Sequence, residues 1–504
     1  MTEFDFLTSL PSIAPEIGLT IMAIVVLFLE VYLPESQRRG IAYVSAIGLG
    51  LLALTPLIWS PPPPESAQYA ENLLYWGGMI RHDALSQIFK VMVLLGAAIT
   101  SLMAIDASEV GRRGEFYLII IVSTLGACLL SAAADLIMVF LALETLSIPL
   151  YVLAAFRRND GRSAEGGMKY FLFGSFASAL MLYGLSLLYG FTGQTNLYFI
   201  ADFLGSTGFA NQPIPVLGAM VLIVVGFGFK ISAVPFHFWT PDVYEGAPTP
   251  VTAYLSVASK AASFALLVRF FIAVFPVDLV VGDQVIQGFW VNLMAVLSVI
   301  SMTLGNVLAL PQRNIKRLLA YSSIAQAGYT LIGVAAIQSQ TEQGVAAVGF
   351  YLFMYTFTNL LAFAVVILFS EATGSETIAD LAGLNRRSPW LALTMTVALL
   401  SLAGIPPAAG FFGKFFLFNA AVEADLTWLA IVGVLNAIIA LYYYLIVIKV
   451  MYVDRSPDED KPIPMSTPYV WVLGITTVMV IVLGTVGAQV LFNWAAQGAQ
   501  SLFL

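Results

Sequence analysis

The chain is built from long, uninterrupted apolar runs joined by short polar segments, and this pattern leaves few folds open. Runs fall at roughly 15–34, 41–59, 84–105, 115–133, 135–156, 167–191, 213–246, 250–275, 287–310, 316–337, 344–369, 388–421, 426–453 and 468–491, numbered helices 1 to 14 in that order. About 20 residues at ~1.5 Å per residue cross the hydrocarbon core of a bilayer. Backbone amides cannot go unpaired there, and the runs lack the apolar/polar alternation of barrel strands, so helices must do the spanning. A composition with 59% hydrophobic and 10% charged residues excludes a soluble domain. The predicted class is an all-α integral membrane protein with about fourteen transmembrane helices.

Two runs, 213–246 and 388–421, are too long and too rich in Pro and Gly to be single straight helices. Helices 7 and 12 are therefore expected to be broken, at Pro235 and at Pro406 and Pro407, which cannot donate the amide a helix needs. Irregular backbone at membrane depth is tolerated only inside protein or around a cavity, and paired broken helices point to a transport site. The breaks lie five helices apart. Because five is odd, helices 4–8 and 9–13 enter the membrane from opposite sides, the geometry of two inverted repeats. The expected units are 1–110 with helices 1–3, 111–276 with the first repeat, 277–454 with the second, and 455–504 with helix 14.

Basic residues gather in alternate loops. Arg38, Arg39, Arg112, Arg113, Arg157 and Arg158 fall on one side with most of the others, and Arg81 alone falls on the opposite side. Cytoplasmic loops carry such an excess, so both termini are expected outside. The first run lacks a basic start and a small-residue cleavage pattern, and reads as a retained helix. Pro61 to Pro64 is expected to stiffen an outside loop. Cys128, the single cysteine, excludes an intramolecular disulfide and a thiol metal site. The net charge of -8 is scattered through short loops and marks no nucleic-acid surface.

An ionisable side chain at mid-bilayer costs at least a few kcal/mol, so each one is a functional candidate. Glu144 lies near half depth, nine residues beyond Asp135. Lys230 ends the run VLIVVGFGFK just before the break, Lys260 is about ten residues inside helix 8, and Lys414 follows the break in helix 12. Lys90 and Lys449 lie close enough to helix ends to snorkel, and Arg269 is expected to do so on the outer side. Lysine and glutamate at these depths suit proton transfer. Making and breaking a Glu144 to Lys230 pair would change proton affinity, at ~1.36 kcal/mol for each pKa unit. Ser259 and Tyr321, together with Ser232, are expected along the route. His237 reads as a polar group packed at the break, since neither histidine has the ligand spacing for zinc or haem. GFGF at 226 and GLGL at 48 are glycines within membrane runs, so neither a dinucleotide turn nor a phosphate loop is predicted.

The strings FLALETLSIPLYVL, GFGFKISAVPFHFWTPDVYEGAPTPVTAYLSVASK, QRNIKRLLAYSSIAQAGY and LAGIPPAAGFFGKFFLF resemble the membrane-arm antiporter-like subunit N, or subunit 2, of respiratory complex I, the proton-pumping NADH:quinone oxidoreductase. The resemblance runs through helices 4 to 13. It implies fourteen helices, two inverted five-helix repeats and one proton channel, with Glu144, Lys230, Lys260 and Lys414 as its relay. Many members have a histidine where this chain has Gln326, which is similar to the photosynthetic and plastid-type branch; a neutral glutamine orients water rather than carrying a proton. The resemblance also implies that NADH or another donor, FMN, iron-sulfur clusters and quinone belong to partner subunits, with no cofactor on this chain. The expected location is a bacterial plasma membrane, or a thylakoid-type membrane. A subunit of a multi-subunit sodium/proton antiporter, sharing the broken-helix fold, is the alternative, and a structural spacer with a dead channel is a third reading.

Overall fold

The computed structural model describes residues 9–503, except 60, 62–72, 207–212, 282–283, 338–341 and 459–460. Pro62 to Pro64 of the proline run lie outside the described residues. Among the described residues, twelve helices are long and apolar enough to cross a membrane. Helices 1 to 6 are Leu10–Tyr32, Arg39–Ile58, Ala84–Ala104, Gly114–Ala132, Leu136–Ala154 and Gly161–Thr192. Helix 7 runs over Pro213–Ile231 and resumes as Trp239–Gly246. Helices 8 to 11 are Thr249–Val274, Gln287–Ala309, Ile315–Ala335 and Gln343–Thr373, and helix 13 is Thr427–Tyr452. Helix 12 is split into Pro389–Ala403 and Ala409–Glu423. Among the described residues the only paired strands are two short hairpins, Leu74–Tyr75 with Ile80–Arg81 and Val280–Val281 with Gln284–Val285.

Helix 14 departs from the single span expected at 468–491. It crosses as Thr467–Leu483, turns by 81°, and continues as Ala488–Gln500. Gly484 lies at the turn against the break of helix 12, where a Cβ would stand 2.0 Å from the Pro407 carbonyl oxygen. No side chain fits there, so a glycine is required wherever the two breaks meet.

Helices 3, 8, 10 and 11 form the centre. They are apolar on nearly every face and buried on nearly every face, as a helix without a polar side must be. Helices 1, 2, 6 and 13 lie outside them and expose apolar side chains such as Ile21, Ile47, Phe176 and Ile438. Helix 4 meets helix 5 at Gly126, where a Cβ would come within 2.3 Å of the Leu146 amide nitrogen. Helix 9 meets helix 10 in the same manner at Gly305 and Gly328, whose Cβ atoms would approach Ala325 N to 2.7 Å and Met302 N to 2.6 Å. Small residues let membrane helices pack backbone to backbone, and here they fix the turn between Glu144 and Ser147 against helix 4.

Candidate functional site

Helix 7 stops one residue after Lys230. Ser232 takes a positive φ of 63° and the Ala233 amide bonds back to the Gly228 carbonyl at 2.8 Å. The Phe229 carbonyl, left without a helical partner, accepts from the Ser232 amide at 3.1 Å and from Trp239 Nε1 at 3.2 Å. The Val234 amide donates to Ser301 Oγ at 2.9 Å. The break thus sits inside protein with these backbone groups matched, as hydrocarbon demands. Lys230 is buried, and its ammonium donates to Ser147 Oγ and lies 5.4 Å from the Tyr151 ring centre.

Glu144 stands one turn before Ser147 on helix 5. It is half-buried, and its Oε1 is enclosed without a hydrogen-bond partner among the described residues. The expected Glu144 to Lys230 ion pair is not formed: Ser147, three residues further along the same face, takes the ammonium instead. Pro149 also denies the Thr145 carbonyl its helical donor, loosening the turn that carries Glu144.

Helix 8 contains a π-helical turn, Leu255–Ser259, immediately before Lys260. Such a turn inserts a residue and re-aims the side chains beyond it. Lys260 Nζ donates to the Ser323 carbonyl at 2.7 Å and to Ser323 Oγ at 2.6 Å on helix 10. The same Oγ lies 3.1 Å from the Tyr244 hydroxyl and accepts from the Tyr355 hydroxyl at 3.0 Å.

In helix 12, Gly404 adopts a φ of 88° and ends the first half. The Leu402 and Ala403 carbonyls, orphaned by the break, are taken by Lys414 Nζ from the second half at 3.0 and 2.9 Å. A cation at a helix C-terminus is electrostatically favoured. Gln326 Nε2 donates to that same Leu402 carbonyl at 3.1 Å and to the Tyr444 hydroxyl at 3.3 Å, while Tyr351 donates to its Oε1. Tyr444 in turn bonds Ser322 at 2.5 Å, beside Ser323. Lys260 and Lys414 are thereby both tied to helix 10, Lys260 directly at Ser323 and Lys414 by way of the Leu402 carbonyl, Gln326 and Tyr444 to Ser322, the neighbouring residue in sequence.

The remaining expected residues are less connected. His237 is buried at the break against the Phe238 ring, 4.6 Å away. Tyr321 is half-buried at the edge of the core, and the Ser259 carbonyl accepts from Ser263 Oγ within helix 8. Ser232 Oγ and Thr240 Oγ1 are buried without partners among the described residues.

Two residues expected to snorkel do not. Lys90 is fully buried and pairs with Glu16 at 2.8 Å, donating also to the Ser12 carbonyl at 3.0 Å. Arg269 is fully buried and grips Asp83 with both Nη atoms at 2.7 and 2.8 Å. In each case a carboxylate on a distant helix makes burial cheaper than a stretch to the interface, and nothing near either residue in the chain announces that partner. Lys449 stays at its helix end and pairs with Asp454. Lys316, in the first turn of helix 10, is fully buried. Its ammonium holds the Glu245 and Ala247 carbonyls, each at 2.9 Å, and Glu376 at 3.0 Å, pinning the end of helix 7 to helix 10.

Residues 133–440 match the family model described as NADH:quinone oxidoreductase/Mrp antiporter, transmembrane. NADH-quinone oxidoreductase subunit N of Moorella thermoacetica is 43% identical over 481 residues, covering 95% of this chain and 96% of that protein. NAD(P)H-quinone oxidoreductase subunit 2 of Trichodesmium erythraeum is 43% identical over 466 residues, covering 92% of this chain and 85% of that protein. A chain in the structure of Thermus thermophilus respiratory complex I with bound aureothin is similar at a TM-score of 0.75 and 33% identity, covering 95% of this chain and 98% of that one.

Proposed function

The chain belongs to the subunit N family of the NADH-quinone oxidoreductases, and from that premise we propose that it moves protons across the membrane through Glu144, Lys230, Lys260 and Lys414. It is a multi-pass membrane subunit of a translocase that has further membrane and peripheral subunits. Quinone reduction on those partners supplies the driving force in this reading, and the donor site, flavin, iron-sulfur clusters and quinone site are placed there. The termini are assigned to the outside, in a bacterial plasma membrane or its thylakoid-type counterpart.

One observation supports the relay above all. The three amines of Lys230, Lys260 and Lys414 lie in the interior with no carboxylate within ion-pair distance among the described residues, each held by hydroxyls or carbonyls. An unpaired buried ammonium costs several kcal/mol, a penalty removed simply by losing a proton. Each site is therefore poised between charge states, which a proton carrier needs and a structural residue does not. The glycine contacts joining helices 4 and 5 and helices 9 and 10 support reading 111–276 and 277–454 as two related units. Sodium exchange has no such observation of its own.

Proton pumping by the complex in sealed vesicles, driven by quinone reduction, tests the reading. Lys230→Ala and Glu144→Ala should each lower it, while reduction of artificial acceptors by the peripheral module continues. Native pumping in both variants would count decisively against the relay.

A further inference from the structure

Two buried hydroxyls and an amine meet at one atom, Ser323 Oγ. Lys260 Nζ is 2.6 Å away on helix 8, the Tyr355 hydroxyl 3.0 Å away on helix 11, and the Tyr244 hydroxyl 3.1 Å away on the second piece of helix 7. All four residues are buried, so no bulk water competes for these positions.

A serine hydroxyl has one hydrogen to give and two lone pairs to receive. Three neighbours therefore saturate it, and the charge of one neighbour dictates the direction of the others. A charged Lys260 can only donate. It fills one lone pair, one tyrosine fills the second, and the serine hydrogen must point to the remaining tyrosine. A neutral Lys260 offers a lone pair. The serine hydrogen can then turn to Nζ while both tyrosines donate.

We propose that Ser323 is a junction of the relay: its hydroxyl connects Lys260 to two alternative tyrosines, Tyr244 and Tyr355, and reverses its hydrogen bonds with the charge on Lys260. The proposal rests on the relay reading above and deepens it. Charging neutral Lys260 through the junction moves two hydrogens. The serine hydrogen passes to Nζ, and a tyrosine hydrogen passes to Ser323 Oγ. The tyrosinate then takes up one proton delivered as hydronium from the aqueous phase, so one net proton arrives at Lys260 and every hydroxyl is restored.

The two tyrosines stand on different elements. Tyr244 precedes Glu245, which lines a cavity of about 570 Å³ among polar loops together with Glu109, Arg157, Asp160 and Glu376. Tyr355 lies one turn from Tyr351, whose hydroxyl bonds Gln326 and hence reaches the carbonyl that holds Lys414. Ser323 thus ties the amine of helix 8 to tyrosines of two elements, one adjoining in sequence a residue of the loop-side cavity and the other one turn from the tyrosine that holds Gln326.

The test is made on the intact quinone oxidoreductase in vesicles, with assembly checked by co-purification of the partner subunits. Ser323→Ala should lower protons pumped per quinone reduced about tenfold, the factor expected for a lost buried hydrogen bond to a charged group. Ser323→Thr keeps the hydroxyl and should restore pumping to within about twofold of native. The solvent deuterium isotope effect on pumping should also change in the alanine variant and recover in the threonine variant. Native pumping in Ser323→Ala, or equal loss in both variants, would overturn the junction. If alanine prevents assembly, Tyr244→Phe combined with Tyr355→Phe isolates the same atom and should give the same loss; native pumping there overturns the proposal equally. Lys260→Met, measured in parallel, separates the two levels. Normal pumping in it removes the relay itself, whereas loss in it beside normal pumping in Ser323→Ala removes only the junction.

Discussion

Lys260→Met should reduce quinone-driven proton pumping about tenfold or more, a cost in keeping with losing a charge-assisted buried contact. Methionine fills nearly the volume of the lysine stem, so the packing around helix 8 is retained while the amine is lost. The Ser323 carbonyl and hydroxyl lose the lysine as donor, and helix 10 loses this contact with helix 8. Lys260→Arg should not rescue it. Guanidinium does not shed its proton in proteins, so charge without exchange is no substitute. Pumping in vesicles separates these outcomes, and native activity in the methionine variant would remove Lys260 from the pathway.

The second large effect is on stability. Asp83 caps helix 3, accepting from the Ser86 amide at 2.8 Å, and it receives both arms of Arg269 and Arg81 Nε at 3.3 Å. Arg81 also donates to the Ser501 carbonyl, tying in the last helix, and Arg269 reaches the Tyr198 hydroxyl at 3.3 Å. Burial, the largest single influence, would raise the Asp83 carboxyl, but Arg269, Arg81 and the Ser86 amide together outweigh it and the group is held down at about 2. A carboxylate depressed in the folded state contributes stability that is present above its unfolded pKa and lost as pH falls through the folded value, so the cluster is intact throughout the neutral range. Asp83→Ala strands a buried guanidinium, a change worth about 3–5 kcal/mol. The complex should unfold at a markedly lower temperature or fail to retain this subunit. Asp83→Asn keeps the cap but not the charge, and should be nearly as damaging; native stability in Asp83→Asn would show that the ion pair contributes little.

These residues also mark how far a sequence of this kind discloses its fold and its site. Apolar run length places the helices because hydrocarbon thickness fixes how many residues must cross, and the interruptions at Pro235 and at Pro406 and Pro407 fall where helices 7 and 12 do break. Depth within a run singles out Lys230, Lys260 and Lys414, and all three are buried. Their partners are not legible in the same way. Ser323, Tyr244 and Tyr355 are ordinary residues in apolar runs, and only packing brings the serine to Lys260 and both tyrosines to the serine. Arg269 and Asp83 are 186 positions apart, so position in the run suggests snorkelling while the fold supplies a carboxylate. Lys316 lies two residues beyond Asn314, the cap of helix 10, and nothing near it in the chain announces the carbonyls at the end of helix 7 that bury it. Helix 14 looks straight because a glycine at 484 is unremarkable until the break of helix 12 occupies the space beside it.

The most direct measurement is the number of protons pumped per quinone reduced by the whole complex in vesicles, with Lys230, Lys260 and Lys414 all replaced by methionine. If these amines carry protons, the variant should reduce quinone with a lower proton yield than the native complex. A native proton yield from an assembled complex lacking all three amines would contradict the relay.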